Sequence, residues 1–166
     1  VARGLASVTW PGRLQPLRRG GLVERLPPGS EIWVDGGHNP AAAAVLAQAM
    51  AEAEEAAPKP LHLLVGMLAS KRPEAFLRPF RGLASSVTGI AVPDVSRAYA
   101  GSRTGEDIAA EASVLGLPGR PAADLREGLA AIAESAGGAA VRVLVCGSLH
   151  LAGSVLSSDA RNRRSS

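Results

Sequence analysis

Two stretches decide the fold of this 166-residue chain: Glu31-Ile-Trp-Val-Asp-Gly-Gly-His-Asn-Pro40 and Val141-Arg-Val-Leu-Val-Cys-Gly-Ser-Leu-His-Leu-Ala-Gly153. In each, a short apolar run stops at glycine and polar residues, and a helix-like segment follows. This pattern is typical of a buried parallel strand whose carboxyl end carries a ligand. Because both junctions have the same form, they predict one shared site built from two strand ends.

Strands and helices alternate around these junctions. Alternating elements predict an α/β fold: a Rossmann-like three-layer sandwich with a mostly parallel sheet and helices on both faces. Ligands of such sheets lie outside the carboxyl ends of the strands. The polar loops expected to meet there are 35–39, 66–72, 93–97 and 147–150. The predicted strands are 14–19, 31–35, 61–65, 86–92 and 141–145, and the predicted helices are 40–57, 73–80, 104–115 and 124–136, with a last one from 149.

The net charge of +3 is concentrated at the two ends of the chain. Residues 1–25 hold five Arg and one Glu, residues 157–166 hold three Arg and one Asp, and residues 26–156 are net acidic. No aromatic residues interleave with the terminal arginines, which argues against binding of nucleic acid.

No apolar run approaches the ~18 residues that span a bilayer, and no signal peptide is evident. We expect a monomeric cytoplasmic protein that binds neither nucleic acid nor membrane.

The sequence divides into three regions. Residues 1–13 have no sustained period and contain a Pro-Gly turn, so they are predicted to be an interdomain linker. Residues 14–157 are predicted to be one globular domain, and the Ser- and Arg-rich residues 158–166 a disordered tail. Because the chain starts on Val, we expect it to be part of a longer protein.

Two polar residues stand at the carboxyl end of the predicted strand 31–35. Asp35 closes a buried strand, where its carboxylate is suited to ribose hydroxyls, or alternatively to capping the helix that begins after Asn39. His38 is suited either to a ligand or to a ring hydrogen bond within its own loop. Since His62 lies in an apolar strand and His150 is isolated, no metal site is predicted.

Further residues that could bind a ligand are Lys71, Gly147 with Ser148, and Arg13. Lys71, one of only two lysines, follows a strand-ending glycine and suits a carboxylate or phosphate; alternatively it is a solvated loop residue. Gly147 and Ser148 offer backbone N–H groups and a hydroxyl at a helix start, either as an anion site or as a plain cap. Arg13 follows the linker turn and could reach phosphates held by a neighbouring domain. Cys146, the only cysteine, ends an apolar strand and is expected to be a small hydrophobe.

Four motifs follow one another along the chain: Trp10-Pro-Gly-Arg-Leu-Gln15, Val34-Asp-Gly-Gly-His-Asn-Pro40, Gly66-Met-Leu-Ala-Ser-Lys71 and Cys146-Gly-Ser-Leu-His-Leu-Ala-Gly153. In this order they resemble the motifs of the folylpolyglutamate and dihydrofolate synthases, a branch of the Mur ligase superfamily. The resemblance implies that this chain is the carboxyl-terminal domain of such an enzyme, preceded by an amino-terminal P-loop domain. The sequence itself contains neither a P-loop nor a Gly-x-Gly-x-x-Gly motif.

The resemblance also implies a reaction. ATP phosphorylates a folate or dihydropteroate carboxylate, and the amino nitrogen of L-glutamate attacks the acyl phosphate to give an amide, ADP and phosphate. Mg²⁺ would be held mainly by the amino-terminal domain, so this chain alone is expected to be inactive and to hold no catalytic residue. The implied ATP-binding residues are Arg13 at the phosphates, Asp35 at the ribose, and His38 and Asn39, while Lys71 and Ser148 would bind the carboxylates of glutamate.

The chain departs from the family pattern at two places. Ser70-Lys71-Arg72 stands where the family usually has Asp-Lys-Asp, which removes two acids and any role they have. His150 stands where the family commonly has Tyr. The rival interpretations are a noncatalytic nucleotide- or partner-binding module and a small independent Rossmann-like enzyme.

Overall fold

The computed structural model describes residues 13–93 and 101–164, which form a six-stranded sheet between two layers of helices. The predicted α/β sandwich is confirmed. The strands are β1 Gln15–Leu17, β2 Glu31–Val34, β3 Leu61–Val65, β4 Ala84–Gly89, β5 Gly119–Pro121 and β6 Arg142–Cys146, and the helices are α1 Pro40–Ala56, α2 Pro73–Leu77, α3 Gly105–Val114, α4 Leu125–Ala136 and α5 Leu149–Arg164.

The strand order is β1-β2-β6-β3-β4-β5, so β6 lies between β2 and β3. Only β1 runs antiparallel, along β2, and the other four pairings are parallel. The last central strand of the sequence therefore stands next to the first one. This order brings the two junctions that decide the fold to neighbouring positions on one edge of the sheet.

Each central strand sends alternate side chains to opposite faces. In β3, Leu63 packs with α1, α2 and α3, whereas Leu64 packs with α4 and α5. In β6, Leu144 and Val145 divide in the same way. Because both faces are covered, these strands are apolar apart from His62 in β3 and Arg142 at the start of β6, as expected for a parallel sheet.

Several element boundaries differ from the sequence predictions. Strand β4 begins and ends earlier than predicted, and the short edge strand β5 was not predicted because Gly119-Arg-Pro121 has no apolar pattern. Helix α5 continues to Arg164, so the predicted start of a disordered tail at residue 158 falls inside a helix.

The linker residues 1–12, loop residues 94–97 and the last two residues lie outside the described residues. Within the described part, no helix is long and apolar enough to cross a membrane.

The helix ends follow local capping chemistry. Asn39 Oδ1 accepts the N–H of Ala42, so Asn39 is the N-cap of α1, as predicted. Thr104 and Asp107 form the predicted reciprocal capping box at α3. At α4, Asp124 caps the N–H of Glu127, but the Glu127 carboxylate reaches back to Ala123 rather than to the cap residue.

A buried arginine joins the amino ends of β6 and β2 to the carboxyl end of α1. Arg142 at the start of β6 is 2% exposed and donates from Nε to Glu31 Oε1 at 2.6 Å. Its Nη1 donates to Glu54 Oε2 at 3.3 Å and its Nη2 to the Ala57 carbonyl at 3.0 Å. These contacts tie β6 to β2 and to the carboxyl end of α1, at the sheet edge opposite the two junctions.

Candidate functional site

The carboxyl ends of three adjacent strands are linked directly by their backbones. The Gly147 N–H donates to the Gly37 carbonyl at 2.8 Å, which joins the loop after β6 to the loop after β2. The Gly66 N–H donates to the Cys146 carbonyl at 3.2 Å, which adds the end of β3. The two junctions predicted to share one place are therefore hydrogen-bonded to each other.

Glycine is required where these loops meet. Gly147 has a φ of +103°, and a Cβ added there would lie 2.6 Å from the Gly66 carbonyl oxygen. A Cβ on Gly36 would lie 2.2 Å from the Leu149 side chain at the start of α5. Only residues without a side chain permit this approach, so the glycines set the spacing of the three loops.

Asp35 anchors the loop after β2. Its side chain is buried, and it accepts the N–H of Gly37 at 2.6 Å and the N–H of Leu14 at 2.7 Å, one on each oxygen. It does not cap α1, because Asn39 does. A carboxylate offers about four acceptor positions, so two of them are not used by the described residues.

The contact to Asp35 also fixes where the chain enters the domain. Leu14 has a φ of +40°, in the left-handed region that residues with a side chain seldom adopt. The register pairs Gln15 with Val34, so the exposed Arg13 lies at the same end of β2 as Asp35. Two of the predicted nucleotide-binding residues are thus neighbours in the structure.

His38 and Asn39 complete this loop. His38 Nδ1 lies 3.0 Å from the Gly36 carbonyl, which can only accept, so Nδ1 carries the proton. The loop-tying role considered for His38 is therefore present, and in the neutral ring Nε2 keeps its lone pair for another partner. Asn39 is exposed and uses Oδ1 for the helix cap, which leaves its amide nitrogen as a donor.

The loop after β6 places Ser148 under the start of α5. Ser148 is 2% exposed, and its Oγ accepts the His150 N–H at 3.1 Å, so it caps this helix. The Gly147 N–H, expected to be free for an anion, is instead bound to Gly37.

Cys146 is fully buried in the core, and burial, with a contribution from Asp35, raises the pKa of its thiol. It packs as a small hydrophobe and is not a nucleophile.

Lys71 lies on a separate part of the same edge. It is half-buried, and its carbonyl accepts Nε and Nη2 of Arg103 at 3.2 and 3.0 Å. The Ser102 Oγ accepts the Val92 N–H at 2.7 Å and lies 3.3 Å from the Met67 carbonyl. The segment before α3 therefore holds the loop that carries Lys71.

Sequence patterns did not point to Ser102 or Arg103. They lie in a polar run without periodicity, and only their contacts reveal their role. With Thr104, they line a cavity of about 480 Å³ between the starts of α3 and α4, on the same sheet edge. Among the described residues, no hydrogen bond or ion pair joins Lys71 to Asp35, His38 or Ser148. The edge thus has two parts, one around Asp35 and one around Lys71.

No metal centre is formed by the residues described. Across 13–93 and 101–164, no group of three or more His, Cys, Asp or Glu side chains is placed to hold a metal ion. His62 lies at the amino end of β3, away from the His38 loop, and its Nδ1 is 2.8 Å from Ser86 Oγ. What this edge offers is acceptors at Asp35 and His38, and cations at Arg13 and Lys71.

Comparison with known proteins identifies the family. The model of the dihydrofolate synthetase C-terminal domain matches residues 25–158. This chain belongs to that family. A search of curated proteins finds no match.

Solved structures share the fold. Mycobacterium tuberculosis folylpolyglutamate synthase complexed with ADP and AMPPCP superimposes with a TM-score of 0.72 at 22% identity, over 94% of this chain and 34% of that one. E. coli FolC in complex with DHPP and ADP gives 0.66 at 26% identity, over 95% and 33%. A bifunctional folylpolyglutamate synthase/dihydrofolate synthase with Mn, AMPPNP and L-glutamate bound gives 0.64 at 19% identity, over 92% and 32%.

The chain spans about a third of the length of these structures. Its fold is the α/β fold of Mur ligase C-terminal domains, and the related structures are folylpolyglutamate synthases and FolC solved with ADP, AMPPCP or AMPPNP. The identification made from the four sequence motifs is confirmed at the level of the family.

Proposed function

We propose that this chain is the nucleotide- and glutamate-binding domain of an ATP-dependent ligase that adds L-glutamate to folate, to dihydropteroate, or to both. The reaction passes through an acyl phosphate of the acceptor carboxylate. The main support is the buried Asp35 carboxylate, which retains acceptor capacity at the junction of the β2 and β6 ends. Family membership and the nucleotides named in the related structures support the same assignment.

Each candidate residue then has a distinct contribution. Asp35 accepts a ribose hydroxyl, and His38 and Asn39 flank the nucleotide from the same loop. Arg13, exposed at the entry of the chain, meets the phosphates. On the other part of the edge, Lys71 supplies a compact cation for a glutamate carboxylate. Ser148 is buried beneath α5 and engaged with His150, so its contact with glutamate needs a local adjustment of the first turn.

The described residues of this chain do not form a site for a divalent cation. The described side chains provide no cluster of metal ligands, although one related structure was solved with Mn. We propose that Mg²⁺ and the phosphate-binding loop belong to a second domain that faces this edge. The second domain would supply the phosphate contacts, and this chain would hold the ribose and position the incoming amine.

Titration of the chain with ADP, followed by NMR of the backbone amides, tests the nucleotide assignment. With ribose and adenine contacts but few phosphate contacts, we expect a Kd on the order of 1 mM, about −4 kcal/mol. The shifts should cluster at 35–39. Asp35→Asn should weaken binding, whereas Asp124→Asn, which keeps a helix cap at α4 on the same edge, should leave it unchanged. Shifts confined to the outer faces of the helices would contradict the assignment.

Turnover tests the proposal that a second domain is needed. The purified chain incubated with ATP, L-glutamate and a folate should release no ADP above background. Release of ADP would instead favour a small independent enzyme. If the chain neither binds ADP nor supports activity when joined to a P-loop domain of the family, the noncatalytic module is favoured.

Kinetics in the joined enzyme separate the two parts of the edge. Asp35→Asn should raise the apparent KM for ATP, by about 1.5–3 kcal/mol for a charge-assisted hydrogen bond, with little change for glutamate. Lys71→Met keeps most of the apolar stem and removes the ammonium, so it should show the reverse pattern. Equal losses for both substrates in both variants, when melting curves show that both variants are folded at the assay temperature, would contradict this division.

A further inference from the structure

A second polar site lies at the opposite edge of the sheet, near the amino ends of β3, β4 and β5. A cavity of about 340 Å³ opens there on the face covered by α4. It is lined by His62 from β3, Ser86 from β4, Arg120 from β5 and Ser135 from α4. This volume is in the range of small-molecule sites.

The lining side chains interrupt an otherwise apolar face. Strand register pairs His62 with Ser86, and Leu64, two residues along from His62, packs with the α4 layer. Arg120 reaches Ser135 of α4 through Nη2 at 3.1 Å, so it faces the same layer. Polar groups on a covered sheet face are costly unless each has a partner.

The described residues provide a hydrogen-bond partner for His62 but not for every donor of Arg120. His62, 7% exposed, has Ser86 Oγ at 2.8 Å from Nδ1. Arg120 Nε is buried and has no hydrogen-bond partner among the described residues. Within that same part of the chain, no carboxylate lies in ion-pair distance of Arg120. The cavity therefore holds a positive charge that the described residues do not neutralise.

The chemistry of the lining selects the ligand. A guanidinium presents several donors in a fixed fork, and serine hydroxyls add further donors, which together suit the oxygens of an anion. His62 is kept neutral because burial, and then the positive charge of Arg120, lower its pKa. Arg120 is the only charged side chain among the residues that line the cavity. An anion bound at Arg120 would cancel that repulsion and favour a protonated, donating imidazole.

We propose that this cavity binds a small oxyanion, a phosphate or a carboxylate, held by Arg120 together with His62 and Ser86. The site is separate from the nucleotide and glutamate edge, since its residues lie at the other ends of the same strands. It does not depend on the proposed ligase function.

The test is an NMR titration of the whole chain with sodium phosphate, followed through the His62 ring and the backbone amides. Sodium chloride at matched ionic strength is the control, and sodium acetate is a separate arm for a carboxylate. We expect saturable shifts at His62, Ser86 and Arg120 and a raised His62 pKa with phosphate or acetate, but not with chloride. The arm that saturates at the lower concentration identifies the ligand class.

Variants sharpen the result. R120Q should weaken binding roughly tenfold or more, as expected when a charge-assisted hydrogen bond is lost. R126Q removes an exposed arginine from α4 and should change affinity by no more than about twofold. If R120Q does not fold, R120K keeps the charge and loses the fork, and weaker binding is again expected. Shifts that are absent, that chloride reproduces, or that persist in R120Q would overturn the proposal.

Discussion

The amino and carboxyl edges of the sheet each hold a buried charge, but the groups that surround the two charges differ. At the amino edge, Arg142 is 2% exposed and meets two carboxylates and a carbonyl. At the carboxyl edge, Asp35 is 7% exposed and meets only backbone N–H groups among the described residues. The first charge is neutralised by neighbouring side chains, whereas the second is held by dipoles and keeps acceptor capacity.

This difference separates a structural ion pair from a candidate binding group. A buried charge that is fully paired adds fold specificity and has nothing left for a ligand. A buried carboxylate held by two N–H groups is oriented and can still accept a further donor. The same criterion applied to Arg120, whose Nε has no partner among the described residues, marks the oxyanion cavity.

Removing the arginine tests the structural half of this comparison. Arg142→Met leaves Glu31, which is partly buried, without its main partner, so we expect a loss of about 3 kcal/mol in the free energy of unfolding. Chemical denaturation measures it. Arg126→Met, on an exposed part of α4, is the control and should lie within about 0.5 kcal/mol of the parent. A loss below about 1 kcal/mol for Arg142→Met would show that the pair is not needed.

A glycine pair tests how closely the carboxyl-edge loops must meet. Gly147→Ala combines a φ of +103° with a Cβ that would lie 2.6 Å from a carbonyl oxygen, so we expect a loss of about 2–3 kcal/mol. Gly137→Ala is a matched control, since φ there is +57° and no atom lies within 4 Å of the added Cβ. It should cost about 1 kcal/mol. Equal losses would mean that backbone conformation, not contact between the loops, fixes the glycine.

The sequence was sufficient for the fold because its patterns are local. Leu61–Val65 is apolar except for His62 and is bounded by Pro60 and Gly66, and the observed β3 has the predicted limits. The Thr104 capping box and the Asn39 cap were also predicted, since capping depends on residues three apart. Strand β5 was missed because an edge strand of three residues carries no periodicity.

The site was less predictable because its contacts are distant in sequence. Asp35 was identified as a buried acid, but its bond to Leu14 depends on the antiparallel pairing of β1 with β2. The support of the Lys71 loop by Arg103 depends on the return of the chain before α3. In the sequence, Arg142 is a single charged residue at the start of an apolar strand. The sequence alone does not show that Glu31 and Glu54 lie next to it.

Neutralising Asp35 tests the anchoring half of the comparison in the chain alone. Asp35→Asn keeps the size of the side chain and replaces one accepting oxygen with a donor, which cannot serve both the Leu14 and Gly37 N–H groups. We expect the free energy of unfolding to fall by about 1.5–2 kcal/mol. Asp124→Asn, whose cap survives the change, should lose less than about 0.5 kcal/mol. Should the two variants be equally stable, Asp35 is not the anchor of this loop.

The smallest expected effect is the change of stability with pH that comes from His62 in the oxyanion cavity. Burial, and then Arg120, lower the pKa of His62 in the folded protein, so the unfolded chain takes up a proton before the folded one does. The free energy of unfolding should therefore fall as pH is lowered through the ordinary histidine value of about 6.5 towards the lower pKa of the folded state. His62→Gln should flatten this dependence, and Arg120→Gln should flatten it less, because burial is the larger cause. Denaturation curves between about pH 7.5 and 5.5, in chloride buffers without phosphate or carboxylate, measure the slopes. Added phosphate should reduce this loss of stability on acidification if the cavity binds an anion and the folded His62 gains a proton with it, because a raised pKa in the folded state narrows the difference in proton uptake. A slope that is the same in all three proteins would show that His62 is not the group that titrates in this range.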